Sequence, residues 1–235
     1  MKKVVALVLA LMLCLSLCAC GGAGAGSPEK AVEKAYAKYD NAQDMYAARG
    51  IDKEESLKQD IMDDIKDDGL KAIKDELLED WPDRFIDILG DEGDNVASLI
   101  GADKLGDYRT KIAEAASPEE LADLYVELFL LFYDTYLDEV RELSYDDNPN
   151  SAITVDNVDN ISVRELEGKD YNKVMKKLSE RIADGRWVYL FGVSDVEAIY
   201  SVAYVITYTD SETESVDFDD GYYVLETSEG CFLYK

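Results

Sequence analysis

The chain reads as an α+β protein, a helical region followed by a mostly antiparallel sheet packed on a helix. Three observations carry this expectation. Between residues 28 and 143 apolar side chains recur at three- and four-residue spacing, whereas after residue 152 β-branched and aromatic residues alternate with small polar ones. The segment Tyr145-Asp146-Asp147-Asn148-Pro149-Asn150 has loop composition and separates the two textures. At 235 residues, the chain can hide roughly 70% of the surface its unfolded form exposes, so its core needs neither disulfides nor a structural metal.

Element by element, Ser27-Pro28-Glu29-Lys30 opens the first helix, with Ser as the cap and Pro at the first helical position. Val32, Ala35, Tyr36, Tyr39 and Tyr46 follow at helical spacing and Gly50 closes the run. Asp52 with Glu55 forms a second capping signal ahead of the stripe Leu57, Ile61, Ile65, which Gly69 breaks. Leu70, Ile73, Leu77 and Trp81 mark another stripe. Shorter pieces carry Phe85, Ile88 and Leu89, then Val96 to Ile100, then Leu105 to Ala115. Ser117-Pro118-Glu119-Glu120 caps a run to about Leu143 whose middle, Leu128 to Tyr133, is apolar on every face and so belongs in a core.

Beyond the loop, Ile161 to Leu166 reads as a strand. Tyr171 to Ala183 reads as a helix with Val174, Leu178 and Ile182 on one face and Gly185 after it. From Tyr200 to Thr209, Tyr, Val and Ile alternate with small residues as in a half-buried strand. Tyr222 to Thr227 and Cys231 to Tyr234 form a hairpin across Ser228-Glu229-Gly230. Trp187 reads as a core anchor where the helix turns into the sheet.

Charge and composition exclude much chemistry. The chain has 51 Asp plus Glu against 24 Lys plus Arg, a net charge of -27, and no His. That balance opposes nucleic-acid binding, which needs Lys and Arg to displace phosphate counterions. Without His there is no Ser-His-Asp or Cys-His nucleophile, no His-ligated zinc and no imidazole base. No cofactor or metal is expected. The calcium-loop pattern is unmet: Asp217-Phe218-Asp219-Asp220-Gly221 brings its Gly one place early and Asp156-Asn157-Val158-Asp159-Asn160 lacks one. Ser27-x-x-Lys30 has the spacing of a penicillin-binding enzyme's nucleophile, but no Ser-Asp-Asn or Lys-Thr-Gly follows, so Ser27 is read as a helix cap.

The N-terminus carries an address. Lys2 and Lys3 precede an apolar run from Val4 to Leu17, too short for a comfortable membrane span, and small residues follow ahead of Cys20. Leu17-Cys18-Ala19-Cys20 resembles the lipobox of bacterial lipoproteins. The resemblance implies cleavage between Ala19 and Cys20, a diacylglyceryl group on the Cys20 thiol, and residence at the extracytoplasmic face of the cell membrane. Two acyl chains, at ~0.8 kcal/mol per buried CH2, hold such a protein stably. Gly21 to Gly26 is a flexible tether of about 15 Å. Cys14 and Cys18 leave with the leader, so Cys231 has no partner left and reads as a buried apolar thiol.

The last ~75 residues, ending on Gly230-Cys231-Phe232-Leu233-Tyr234, resemble in order and texture the C-terminal part of uncharacterised lipoproteins with a cystatin-like or nuclear-transport-factor-2-like fold. Ser27 to Val32 resembles the start of their first helix. That fold hosts unrelated functions and implies no reaction. The expected division is 1–19 signal peptide, 20–27 lipid anchor and tether, 28–145 helical region and 152–235 sheet region. The first helix belongs either to the helical region or to one domain with the sheet.

The expected function is non-catalytic, a membrane-anchored extracytoplasmic binding or interaction module that meets a cell-wall component or an envelope protein. Tyr200, Tyr204 and Tyr208, alternating along one strand, form the candidate ligand face, because Tyr rings stack on sugars and apolar groups. The alternative is a cell-envelope glycan hydrolase using paired carboxylates, for which spacing singles out no pair.

Overall fold

A computed structural model describes residues 24–79, 81–140, 155–185, 187–209 and 211–235. Cys20 and the Ala19–Cys20 junction lie outside the described residues, and the expected tether Gly21 to Gly26 is not free along its described part: Ala25 is buried and pairs with Cys231, its N–H donating to the Cys231 carbonyl at 2.9 Å and its carbonyl accepting the Cys231 N–H at 2.8 Å. The class is α+β, with helices leading into antiparallel sheets.

Helix α1 (Pro28–Ala35) is capped by Ser27, whose Oγ accepts the Lys30 N–H at 3.3 Å. The helical spacing that runs on to Gly50 is interrupted. The chain turns at residues 36–41 and restarts as α2 (Ala42–Ala47), because Asn41 Oδ1 accepts the Asp44 N–H at 2.8 Å and Asp134 takes the free Ala42 N–H at 2.8 Å. A two-residue strand β1 (Ile51–Asp52) leads into α3 (Lys53–Asp68), capped by Asp52 through the Glu55 N–H at 3.1 Å. Next come α4 (Leu70–Glu79), α5 (Asp83–Asp87), α6 (Gly93–Ile100) and α7 (Ala102–Glu114). Helix α8 (Pro118–Thr135), capped by Ser117 through Glu120 N–H at 3.1 Å, passes into one π-helical turn over Tyr136–Val140.

The helical layer has its own core. Leu57, Ile61 and Ile65 of α3 meet Ile73 and Leu77 of α4 and the inward face of α8. Phe85 anchors the centre, its ring 5.5 Å from Tyr125 and 5.8 Å from Phe132. Leu128, Phe129 and Phe132 are buried, but Leu130, Leu131 and Tyr133 are only half-buried, so the apolar run enters the core on one side and is not enclosed on every face.

The second half opens with β2 (Val155–Glu165), six residues earlier than its sequence suggests. Its Asp- and Asn-rich start is tolerated because β2 is an outer strand with mostly exposed side chains, and a register shift between Asp159 and Ser162 bends it where Asn160 takes a φ of 54°. Helix α9 (Gly168–Asp184), strand β3 (Val188–Tyr189), the long β4 (Val196–Tyr208), β5 (Thr213–Val216), β6 (Tyr223–Thr227) and β7 (Gly230–Tyr234) follow. The main sheet is antiparallel in the order β2-β4-β6-β7, and β5 pairs with the far end of β4.

Both faces of that sheet are covered. Val202, Tyr204, Ile206, Val224 and Leu233 pack beneath Ala31, Val32 and Ala35 of α1. On the opposite face Ile199, Leu225, Phe232 and Tyr234 meet Val174 and Leu178 of α9. The first helix therefore packs with the sheet core.

Helical layer and sheet join through β1, which pairs antiparallel with β3 (Ile51 opposite Tyr189), and through Ser56 Oγ, which accepts the Val188 N–H at 2.9 Å. Gly50, at φ 74°, sits where a Cβ would lie 2.5 Å from the Phe191 ring and 3.0 Å from Phe232, so only glycine fits. Beside it the Lys53 ammonium is enclosed by three rings, with centroid distances of 4.9 Å to Tyr46, 4.8 Å to Phe129 and 4.9 Å to Trp187. Burial pulls the Lys53 pKa down, opposed by Asp60.

Candidate functional site, an aromatic cleft with a cationic rim

Where the far end of β4, β5 and the end of β7 meet the joint between the two layers, a cleft of about 580 Å³ opens. Its size is that of a small-ligand pocket. Strand alternation builds one wall: Ile206, Tyr208 and Leu233 project from the α1 side of the sheet. Tyr36, just past the end of α1, and Tyr222, ahead of β6, close over that side. The joint supplies Tyr46, Ile51, Trp187 and Tyr189. Trp187 is thus a half-buried wall of the cleft, stacked on Tyr46 at 5.9 Å, rather than a core anchor.

The tyrosines form a connected set. Tyr36 and Tyr204 share a hydroxyl hydrogen bond of 2.8 Å, and Tyr204 meets the Tyr222 ring edge to face at 6.1 Å. Tyr208 donates to Glu214 Oε2 at 2.6 Å, and Lys235 Nζ donates to the Tyr222 hydroxyl at 2.7 Å. The Glu214 hydrogen bond pushes the Tyr208 pKa up to about 12, and burial does the same for Tyr46. Tyr204 is driven up first by burial and then by its hydrogen bond with Tyr36. These walls are therefore neutral hydroxyls at physiological pH.

Charge in the cleft runs against the rest of the molecule. Arg49, Arg181 and Lys235 line it and Glu214 is the one acid among its lining residues, so three positive charges less one negative leave +2 in a chain of -27. Among the described residues no Asp or Glu comes within ion-pair distance of those three cations. Arg49 donates to the Ala35 carbonyl at 3.3 Å. Arg181 lies 5.0 Å over the Tyr234 ring and donates to a main-chain oxygen of Lys235. Tyr234, only 6% exposed, lines the cleft with a buried hydroxyl that has no hydrogen-bond partner.

Of the candidate ligand face, Tyr208 lines the cleft and Tyr204 stands directly behind it, bonded to Tyr36. Tyr200 is elsewhere: its hydroxyl donates to Glu226 Oε2 at 2.7 Å, which raises its pKa to about 12. Arg49, Arg181, Lys235, Tyr222 and Tyr234 escape the sequence reading because the fold gathers them from separate elements. Cys231 is buried and unpaired, with its thiol pushed up to about 11 by burial.

No family model, curated protein or solved structure matches the chain. The geometry of the site therefore carries the functional reading by itself. Two further observations bound it. Among the described residues no helix is long and apolar enough to cross a membrane, and no cluster of three or more His, Cys, Asp or Glu is placed to hold a metal ion. A second cavity, about 440 Å³, lies near the end of α8 and is lined by Asp40, Asp134, Asp138 and Glu139 beside Leu99 and Leu131. Burial raises the Asp134 pKa, while the Ala42 N–H holds it down.

Proposed function

We propose that the protein is an exported, lipid-anchored binding module that holds its acidic α+β domain at the extracytoplasmic membrane face and captures a ligand in the aromatic cleft. The observation that carries this reading is the +2 cleft in a -27 chain. The domain's net charge repels anionic lipid headgroups, while a local reversal of sign selects what enters. The lining provides rings and cations and a single carboxylate, Glu214, already engaged by Tyr208. That is equipment for holding a ligand, since cleavage of a glycan by carboxylates takes two.

The test has two parts. Cys20→Ala is expected to move the protein from the membrane to the soluble fraction, and persistence in the membrane fraction refutes the lipid anchor. Crosslinking in intact envelopes is expected to join the native protein to a wall component or an envelope partner, with capture lost in Tyr208→Ala. Capture unaffected by that change moves the binding function away from the cleft.

The hydrolase reading keeps one supporting observation, the four carboxylates of the second cavity, with one of them raised in pKa. Release of reducing ends from wall glycans, abolished in Asp138→Asn, supports it. Inactivity of the native chain across those glycans removes it.

A further inference from the structure

Resting on that reading, we infer that the ligand of the aromatic cleft is an acidic saccharide, one or two sugar rings bearing a carboxylate or phosphate. Four observations converge on this chemistry. The volume of about 580 Å³ admits one or two rings. Tyr208, Tyr222 and Trp187 offer both aromatic faces, which cover the C–H faces of a sugar ring, and polar edges, which meet its hydroxyls. Arg49 and Lys235 carry charge that no acidic side chain among the described residues neutralises at ion-pair distance, and Arg181, likewise without an acidic side chain at that distance, already donates to a main-chain oxygen of Lys235. Guanidinium groups bind carboxylate and phosphate oxygens in paired hydrogen bonds, which a neutral sugar cannot exploit.

The fourth observation is the hydroxyl of Tyr234. A phenol in a residue 94% buried and without a partner is an unmet hydrogen-bonding group, and such groups are rare because leaving them unmade is costly. Its ring lies 5.0 Å from the Arg181 guanidinium and lines the cleft, which places the unmet hydroxyl at the cationic end of the site.

The full-length chain, purified in a neutral detergent, is titrated calorimetrically with four probes: a digalacturonate, glucose 1-phosphate, the neutral disaccharide maltose, and inorganic phosphate. The two acidic sugars bind, and which of them binds tighter identifies carboxylate or phosphate as the native anion. Maltose and inorganic phosphate bind at least about tenfold more weakly, since each lacks half of the recognition. Arg181→Gln and Arg49→Gln each lower acidic-sugar affinity by roughly tenfold, Arg181→Lys recovers part of the loss, and Tyr234→Phe weakens binding by a few-fold. Thermal melts of each variant establish that the fold persists. Rising salt lowers affinity for the acidic sugars.

Equal binding of maltose and digalacturonate overturns the charge requirement. Equal binding of phosphate and glucose 1-phosphate reduces the cleft to an anion site. No heat with either acidic sugar at millimolar concentration overturns the inference outright, and leaves the localisation and envelope-crosslinking results standing as separate tests of the binding-module reading.

Discussion

The helical layer and the sheet corner solve opposite problems. Residues 52–95 hold 17 acids and six bases, and on α3 and α4 that charge stays on solvated faces while Leu, Ile and Phe fill the interior against α8. At the corner of the sheet the aromatic residues come to the surface, and cations gather in a chain that has half as many of them as acids. The helical surface is what repeated amphipathic patterning produces. The corner is what patterning does not require, and its departure from the global charge is what the proposed ligand site rests on. Lys53 makes the contrast sharper, since its ammonium is also surrounded by rings but is sealed from solvent at the joint, where it ties Tyr46, Phe129 and Trp187 together.

The two regions should therefore respond differently to truncation. Phe132→Ala in the helical core removes a ring in contact with Phe85 and is expected to cost about 3–5 kcal/mol of stability. Denaturant melts read the loss, and acidic-sugar affinity of the remaining folded protein should be unchanged. A parallel loss of affinity would show that the cleft depends on the helical core and would dissolve the contrast. Next in size is Lys53→Ala, expected to cost about 2 kcal/mol by emptying the space between three rings. Lys53→Met refills it without burying a charge and should stay within about 1 kcal/mol of the native protein.

The sequence makes the scaffold legible and the site only partly so. Caps at Ser27, Asp52 and Ser117 act through local side-chain bonds, which spacing reveals, and all three are formed. The break at residues 36–41 is harder to read. Asp134 stabilises it by binding the Ala42 N–H from 92 residues away. The same distance argument applies to the cleft. Tyr208 belongs to a visible alternation, but Arg49, Arg181 and Lys235 lie on α2's exit, α9 and the end of β7, and only tertiary packing brings them together. Tyr200 shows the converse: alternation places it on the same side as Tyr208, yet its hydroxyl is spent on Glu226.

Alkaline pH separates the joint's lysine from its tyrosines. Tyr46 holds its proton up to about 12 in the folded protein against an ordinary value of 10.0. Its contribution is complete below pH 10 and is lost as pH rises from 10 to about 12, because the native phenol binds the proton more tightly than the unfolded one. Lys53 works in the other direction. Its folded pKa lies below the ordinary 10.5, so the cost of burying its charge is present at neutral pH and fades as pH climbs from that depressed value to 10.5. Native stability should fall between pH 10 and about 12, less steeply in Tyr46→Phe, and the rise that Lys53 contributes below pH 10.5 should be absent in Lys53→Met. Stability curves by denaturant at stepped pH check both slopes, and identical slopes in the three proteins would mean that neither group's burial matters.

The smallest expected effect is at Tyr200, and it sets the boundary of the site. Removing the hydroxyl in Tyr200→Phe breaks one partly exposed bond to Glu226, worth about 0.5–1 kcal/mol, and leaves the ring in place. Binding of an acidic saccharide should not change, whereas Tyr208→Phe, eight residues further along β4, frees Glu214 in the cleft and should weaken it a few-fold. Calorimetry on this pair compares two tyrosines of the same strand face, both held near a pKa of 12 by a glutamate, that differ in whether the joint folds over them. Equal losses at both would extend the ligand face along the whole strand, as alternation alone suggests. A loss confined to Tyr208 assigns recognition to the corner, where the sheet meets the helical layer.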